Sequence, residues 1–347
     1  MSDTPPGDPT QSNLLARVRT WSAQAAPWIS LATGVGGAAW MERSPERAGL
    51  IVAAALGAWL ALLAFVVISR FAEEKRHAAL HAVRLGSLYT VQGAVQLCLF
   101  FTAPFFLRAF TFTLGHVAFL LAFATAVAVS VWDPWFERAL RSRFLGVLLL
   151  GFTAFTTLAC LLPMLGLPNW VGLVIAGLAV LVGGPVLVFR QGILPARLGV
   201  AGFALVVPLF LFFSPELVPP APLRLADAAL GTALDGRELA DGAPELPADV
   251  TQLVCWTAIS APRGLHDELF HVWRHDGVVT DEIALEIRGG REEGFRTWSR
   301  KRALGADPVG KWTCTVVTGA GQPLGRARTR LVEPVADGPG PRVGPPQ

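Results

Sequence analysis

Apolar residues dominate the chain from about Trp21 to Phe213, where short arginine-containing segments divide them into helix-length blocks. A block of about 20 residues without charge is long enough to cross a bilayer as a helix. The blocks predict about seven spans: Ala23–Met41, Gly49–Ser69, Leu85–Leu107, Ala109–Val131, Phe144–Leu165, Trp170–Phe189 and Leu198–Phe213. The first is the weakest, because Pro27 and several glycines lower its helix propensity. It is either a span or a half-buried interfacial segment.

The pattern changes to short alternating runs after a Pro-rich connector at 214–222. These runs predict β-strands at Leu223–Leu230, Thr251–Ser260, Asp267–Arg274, Val278–Ile287, Gly294–Ser299, Lys311–Thr318 and Leu324–Val332. About seven short strands fit a small immunoglobulin-like sandwich. The predicted fold is therefore a multi-pass α-helical membrane bundle followed by a small all-β immunoglobulin-like sandwich.

The same pattern predicts the domain organisation. Residues 21–213 form the transmembrane helical domain, 214–222 the linker, and 223–333 the β-sandwich. The polar residues 1–20 are predicted to be a disordered cytoplasmic tail that lacks the features of a signal peptide. Residues 334–347 are rich in Pro and Gly and are predicted to be a second disordered tail.

Composition agrees with this division. The chain is 52% hydrophobic and 16% charged, and the charged residues are concentrated in the loops and after Ser214. The net charge of +3 therefore describes no single surface and does not indicate nucleic-acid binding. The expected partner of the apolar part is the lipid bilayer.

The distribution of basic residues predicts the orientation, because Lys and Arg in short loops resist translocation. Alternate segments hold most of them: Arg17, Arg19, Arg70, Lys75, Arg76, Arg84, Arg138, Arg141, Arg143, Arg190 and Arg197. The intervening segments hold only Arg43, Arg47 and Arg108. This predicts a protein of the inner (cytoplasmic) membrane with a cytoplasmic N-terminus and a periplasmic or extracytoplasmic C-terminal domain.

The predicted spans contain no Asp, Glu, Lys or Arg well inside them. Proton-coupled transporters and intramembrane hydrolases usually need such a group, so these classes are disfavoured. The exceptional polar residues are Tyr89, Gln92 and Gln96 on one face of the third span, and His116 in the fourth. They either bond neighbouring helices together or line a small cavity.

Three segments after residue 270 resemble a bacterial domain of unknown function that often follows a membrane anchor. They are HVWRHDG (271–277), RTWSRK (296–301) and GKWTCTVVTGAGQPLG (310–325). The helical half, most visibly MERSPERAGL (41–50), is similar to an uncharacterised multi-pass membrane family. The resemblance implies a small β-sandwich with Trp273, Trp298 and Trp312 as framework residues. It implies no catalytic residue and no cofactor.

The β-domain offers three candidate sites. The first is His266, His271 and His275, but residues four apart on a strand are about 13 Å apart, so no shared metal ion is expected. The second is a basic and aromatic group that could bind a glycan or an acidic polymer, unless it is only core and solvated edge: Arg296, Trp298, Arg300, Lys301 and Arg302. The third is Cys255 with Cys314, which form either a disulfide or two buried thiols.

These features predict a non-enzymatic membrane protein that holds its sandwich outside the bilayer to bind an envelope protein or a cell-wall glycan. The alternative is a carrier or channel for a small neutral or lipophilic solute, with Tyr89, Gln92, Gln96 and His116 along its path. An enzyme acting on lipid ranks last, because His116 is its only candidate residue and no catalytic motif is present.

Overall fold

The computed structural model of the protein describes residues 28–29, 31–37, 39, 79–188, 216–221, 223–261, 266–288 and 294–333. These residues belong to two compact units that divide between Pro222 and Leu223. Both predicted tails lie outside the described residues, as do the predicted spans Gly49–Ser69 and Leu198–Phe213 and much of Ala23–Met41. We call the two parts the helical unit and the β unit.

The helical unit contains α1 (Ala79–Arg108), α2 (Leu114–Val131), α3 (Asp133–Arg141), α4 (Arg143–Met164) and α5 (Asn169–Val188). Residues 28, 29, 31–37 and 39 are also helical. Helix α2 begins later than the predicted Ala109, because the Thr113 side chain accepts a hydrogen bond from the His116 backbone N–H and caps the helix there.

Three segments of these helices are long and apolar enough to cross a membrane: Thr90–Arg108, Leu114–Val131 and Leu145–Met164. In α5 the apolar stretch among the described residues is shorter, Asn169–Val180. The predicted order of apolar helices followed by a β-rich unit is confirmed. The predicted number of about seven spans is not supported by the part of the chain that the structure describes.

Helix α3 lies in a segment that the sequence pattern had marked only as an arginine-containing loop. Its nine residues bury Phe136 and Ala139 against the helical core. Gly146 of α4 allows a close approach here, because a Cβ at that position would lie 3.3 Å from the Ala139 carbonyl oxygen. The helix is therefore packed along one side only.

The core of the helical unit is built largely from aromatic and aliphatic side chains. Phe106 packs against Phe119 and Phe123, with ring centroids 4.9 and 5.8 Å away. Val218 and Ala221, from the segment predicted as a free connector, are also buried in this core. Part of the connector therefore belongs to the helical unit.

The described residues of the β unit form ten strands: β1 (Arg224–Gly231), β2 (Leu234–Asp235), β3 (Glu238–Leu239), β4 (Glu245–Pro247), β5 (Leu253–Ser260), β6 (His266–His275), β7 (Val278–Arg288), β8 (Phe295–Lys301), β9 (Gly310–Thr318) and β10 (Pro323–Val332). One sheet has the order β1-β5-β8 and the other β4-β10-β9-β6-β7, while β2 and β3 form a hairpin. All neighbours are antiparallel except β4 and β10, which are parallel.

Side chains from both sheets meet in one hydrophobic core. Leu253 comes from the three-stranded sheet, while Trp273, Trp312 and Leu331 come from the five-stranded sheet. A disulfide between Cys255 of β5 and Cys314 of β9 joins the central strands of the two sheets. The β unit is therefore two sheets packed face to face and covalently linked through their centres.

Candidate functional site

A chain of buried polar side chains crosses the interior of the β unit beside the disulfide. Trp273 Nε1 donates to Ser299 Oγ at 3.0 Å, and Ser299 Oγ lies 2.7 Å from His271 Nδ1. His271 Nε2 lies 3.1 Å from Thr257 Oγ1, which donates to the Thr297 carbonyl oxygen at 3.3 Å. Three strands, β5, β6 and β8, supply these groups because their inward faces meet at this point.

The donors in this series of hydrogen bonds determine which ring nitrogen of His271 carries the proton. The Thr257 hydroxyl uses its proton on the Thr297 carbonyl, so it accepts from His271 Nε2–H. Nδ1 of His271 is then the acceptor of the Ser299 hydroxyl proton. Every step runs in one direction, from the Trp273 indole to the Thr297 carbonyl, and the imidazole is neutral.

Burial reinforces the neutral form. The His271 side chain has no exposed surface, and the cost of placing a charge there lowers its pKa to about 3. Ser299 is also buried. A serine hydroxyl on a histidine suggests a nucleophile and its base, but no substrate atom can reach a pair that lies inside the sandwich. The arrangement specifies the core and provides no reaction site.

The disulfide lies next to His271. The Sγ atoms of Cys255 and Cys314 and a ring nitrogen of His271 all lie within 4.8 Å of one another. Metal binding requires thiolates, which a disulfide does not provide, and both His271 nitrogens already have partners. These three residues therefore fit a cross-linked core better than a metal centre.

The HVWRHDG and GKW segments form one structural clamp. Asp276 and Gly277 make the two-residue turn between β6 and β7 with φ of 48° and 89°, as a type I′ turn requires. The Asp276 carboxylate accepts the Lys311 backbone N–H at 2.8 Å. Gly310 is required beside it, because a Cβ there would lie 2.6 Å from the Asp276 carboxylate.

Of the other two histidines in the candidate group, His275 does not join His271. His275 stacks on Trp312 with ring centroids 4.5 Å apart and bonds the Val309 carbonyl oxygen at 3.0 Å. The side chain of His266 lies outside the described ones. His271 and His275 therefore serve different parts of the fold, the core and the clamp.

The basic and aromatic group on β8 divides between the two sides of the strand. Arg296, Trp298 and Arg300 alternate along the strand and share its outward side, whereas Ser299 and Lys301 are buried. Trp298 is half-buried and lies directly opposite Trp256 of β5. We call Arg296, Trp298 and Arg300 the outer row.

The β2–β3 hairpin covers part of this surface. Trp256 donates its indole N–H to the Arg237 carbonyl oxygen at 2.7 Å. Arg296 pairs with Glu238 at 2.9 Å, while Arg300 is exposed. The outer row thus ends in one exposed arginine beside a half-buried indole.

Lys301 and Arg302 do not belong to the outer row. Lys301 is buried and bonds Asp281 Oδ2 at 3.1 Å and the Thr280 carbonyl oxygen at 3.3 Å. The hydrogen bond from Lys301 lowers the pKa of the Asp281 carboxyl. Arg302 is exposed beyond the end of β8. The resemblance also implied Trp298 as a framework residue, but only Trp273 and Trp312 of the three are fully buried.

In the helical unit, two glutamines in the middle of α1 bind the end of α2 and the start of α3. Gln92 Nε2 donates to the Ser130 carbonyl oxygen at 3.0 Å and to Asp133 Oδ1 at 2.8 Å. Gln96 Nε2 donates to the same Ser130 oxygen at 2.7 Å. This carbonyl lies in the last turn of α2, where no helical N–H is available. The amides of α1 therefore cap α2 and tie it to α3.

His116 occupies a separate place at the start of α2. Its Nδ1 accepts the Thr111 backbone N–H at 3.1 Å, which leaves the proton on Nε2. Nε2 of His116 and Oε1 of Gln96 are buried without a hydrogen-bond partner among the described residues. Tyr89 lies in α1, but its side chain is outside the described ones. No contact joins His116 to the glutamines in the described part of the unit.

Two features of the structure were not predicted from the sequence. Ser299 completes the His271 chain, and strict alternation along β8 would have placed it on the inward side beside Lys301. The exposed face of α3, which carries Trp132, Trp135, Arg138 and Arg141, was also missed as a unit. The sequence feature that could have indicated this surface is the spacing of its two tryptophans and two arginines at intervals of three residues.

Residues 8–253 match the model of a family described as a family of unknown function (DUF5924), and residues 266–330 match that of a protein of unknown function (DUF2914). The first match covers more than half of the chain, so the chain belongs to the DUF5924 family. No curated protein matches the chain. The first match ends at the first residue of β5 and the second begins at the first residue of β6, so the single β unit contains residues of both.

Proposed function

We propose that this chain is a non-enzymatic, multi-pass protein of the bacterial inner membrane that presents its β unit at the outer face as a module for binding an envelope partner. The partner is a protein or a cell-wall glycan. The Cys255–Cys314 disulfide is the observation that carries the proposal. Disulfides persist outside the cytoplasm and are rare within it.

The distribution of basic residues supports the same orientation. Arg138 and Arg141 lie between α2 and α4, at the end of the helical unit that the positive-inside rule assigns to the cytoplasm. The odd number of spans predicted from the sequence is consistent with a β unit on the opposite side.

The architecture of the β unit supports an immunoglobulin-like module. Two packed sheets, an inter-sheet disulfide and a tryptophan beside it are features of that fold. Trp273 pairs directly with Cys314 across β6 and β9 and is fully buried. Such sandwiches commonly serve as interaction modules, although fold alone does not assign a function.

Among envelope partners, the outer row favours an acidic glycan. An indole offers a flat apolar face for a sugar ring, and a neighbouring guanidinium can bind a carboxylate in a bidentate manner. Trp298 and the exposed Arg300 provide these two groups on one side of β8. The hydrogen-bonded groups around His271 are buried and already paired with one another, which favours a binding role for the β unit over a catalytic one.

A co-sedimentation experiment tests this function. The full chain in a neutral detergent is mixed with purified sacculi, and a W298A/R300Q variant is compared with an R328Q/R330Q variant, which removes two exposed charges from β10. We expect wild type and the β10 variant to sediment and W298A/R300Q to be reduced about tenfold, since loss of an aromatic contact and a charged hydrogen bond costs that much or more.

Equal sedimentation of all three proteins, or none of wild type, would contradict the glycan-binding form of the proposal. Capture of a defined envelope protein through Trp298 and Arg300 would instead assign the module to a protein partner. The disulfide and the orientation are tested separately.

The carrier or channel remains a second candidate because of one observation. Gln96 Oε1 and His116 Nε2 are buried without partners among the described residues, as groups awaiting a polar solute would be. Replacing Gln92 and Gln96 with Leu separates the two functions. A transport site loses solute flux with the helical unit still folded, whereas a helix cap loses stability.

A further inference from the structure

The exposed surface of α3, together with the residue that precedes it, combines aromatic with basic residues. Trp132, which precedes the helix, stacks on Trp135 with ring centroids 5.0 Å apart and planes 15° apart. Both indoles are exposed, by 57% and 46% of their surface. Arg138 and Arg141 follow at intervals of three and are also exposed. We call these four residues the α3 face.

Other side chains of α3 fix the helix to the helical unit. Phe136 and Ala139 are buried in the core, and Asp133 accepts a hydrogen bond from Gln92 of α1. The α3 face is therefore held in one orientation by packing, and two large indoles are left uncovered.

The position of α3 along the bundle is also defined. The glutamine contacts place its first residue at the end of α2, where the Ser130 carbonyl lies, and α4 begins directly after it at Arg143. The helix thus connects the ends of two apolar segments that are long enough to cross a membrane. In a bilayer this position is the boundary between hydrocarbon and water.

We infer that the α3 face is a binding surface for anionic phospholipid headgroups in the cytoplasmic leaflet. The inference rests on the proposed function, which places this end of the helical unit at the cytoplasmic side. Lipid is the fitting occupant because indoles are favoured at the headgroup level, whereas a purely protein-binding patch would not need to coincide with the ends of two spans.

The two arginines of the α3 face favour anionic over zwitterionic lipids. Arg138 and Arg141 are separated by less than one helical turn. Among the residues that the structure describes, only Arg141 of the two has a carboxylate partner, Glu137 at 2.7 Å in a highly exposed pair. An exposed ion pair of this kind is weak and exchanges readily for a phosphate. A zwitterionic headgroup offers the same phosphate with a compensating ammonium, so the arginines discriminate against it.

Native mass spectrometry of the full chain in a neutral detergent tests the inference. Dioleoyl phosphatidylglycerol and dioleoyl phosphatidylcholine are titrated separately, and the Kd of the first bound lipid is compared. We expect wild type to bind phosphatidylglycerol about tenfold more tightly, as two arginines near a membrane surface allow. R138Q/R141Q should reduce this preference to within about twofold, while R328Q/R330Q retains it as the charge-matched control.

A W132A/W135A variant sharpens the result, because loss of the indoles should weaken both lipids equally and leave the preference intact. All four substituted positions are exposed, so each protein is expected to stay folded, which the unchanged reactivity of the buried Cys160 thiol checks. No preference in wild type, or a preference that survives R138Q/R141Q, overturns the inference. The lipid preference is measured in detergent and does not depend on the orientation of the protein in a membrane. A failed lipid experiment therefore does not contradict the proposed position of the β unit, and a contradicted position does not change the measured lipid preference.

Discussion

The two units treat buried polar groups in opposite ways. In the β unit, five groups from Trp273 to the Thr297 carbonyl form one continuous chain of hydrogen bonds beside a disulfide. In the described part of the helical unit, Gln96 Oε1 and His116 Nε2 are left without partners. The comparison teaches that the β unit has one tightly specified interior, whereas the helical unit tolerates local incompleteness.

Loss of the disulfide should have the largest effect, lowering the stability of the β unit while leaving that of the helical unit unchanged. Replacing Cys255 and Cys314 with Ala removes a cross-link between residues 59 apart in sequence and should lower the free energy of unfolding of the β unit by about 4 kcal/mol. Pulse proteolysis of the full chain in urea measures this loss. Reduction of wild type with dithiothreitol should reproduce it.

The helical unit supplies the control for the disulfide. Its cysteines Cys98 and Cys160 are free, so thermal exposure of these thiols to a reactive dye reports its unfolding. That midpoint should not move in the Cys255 and Cys314 variant. An unchanged urea midpoint for the β unit would show that the disulfide does not stabilise it.

Ser299→Ala should have the next largest effect. The change leaves Trp273 Nε1–H and His271 Nδ1 buried without partners, at a cost of about 3 kcal/mol in the free energy of unfolding. Ser260→Ala, at the half-buried end of β5, is the matched control and should cost less than about 0.5 kcal/mol. Equal urea midpoints for the two variants in pulse proteolysis would contradict a structural role for the hydrogen-bonded groups around His271.

The β unit should also lose stability in mild acid because of His271. Its pKa falls from an ordinary 6.5 to about 3 in the folded state, so the unfolded state binds more protons between these values. The contribution of His271 to the free energy of unfolding is fully present above pH 6.5. It is lost as the pH falls toward 3, by about 1.4 kcal/mol per pH unit.

Pulse proteolysis at pH 7, 6 and 5 measures this slope. The Asp281 carboxyl has a lowered pKa and acts only below its ordinary value of 3.8, outside this range. A His271→Gln variant should lose the slope. If that variant does not fold, the ring resonances of His271 in wild type give the same information, and titration near pH 6.5 would contradict the assignment.

Gln96→Leu should have the smallest effect, although it removes a buried hydrogen bond. Ser130 keeps its bond from Gln92, and the unpartnered Gln96 Oε1 disappears, so the two changes offset each other to within about 1 kcal/mol. Gln92→Leu should cost more, because Asp133 then loses its donor. The thiol-dye midpoint of the helical unit measures both, and a larger loss for Gln96 would reverse the comparison.

Much of the fold could be predicted because its pattern is local. Seven of the ten strands follow from alternation, and α1, α2, α4 and α5 follow from apolar length. The strands β2, β3 and β4 have only two or three residues, which is too few for a periodic signal. Helix α3 was missed because its charged residues gave the appearance of a loop.

The candidate site was less accessible, because its geometry depends on pairing between distant strands. The Cys255 and Cys314 pair was suggested by compartment and strand position, but the partnership of His271 with Ser299 depends on how the two sheets pack. Arg296 to Arg302 formed one cluster in the sequence, yet the pleat of β8 sends Lys301 to the opposite side. Side-chain direction, not residue type, divided that cluster.

The orientation of the β unit is the central claim, and a pair of reporter fusions tests it most directly. Alkaline phosphatase and a fluorescent protein that matures only in the cytoplasm are fused separately after Gln347. We expect an active phosphatase and a dark fluorophore, because the disulfide and the basic residues both support the proposed position of the β unit at the outer face. An inactive phosphatase with a bright fluorophore would contradict the account and place the β unit in the cytoplasm.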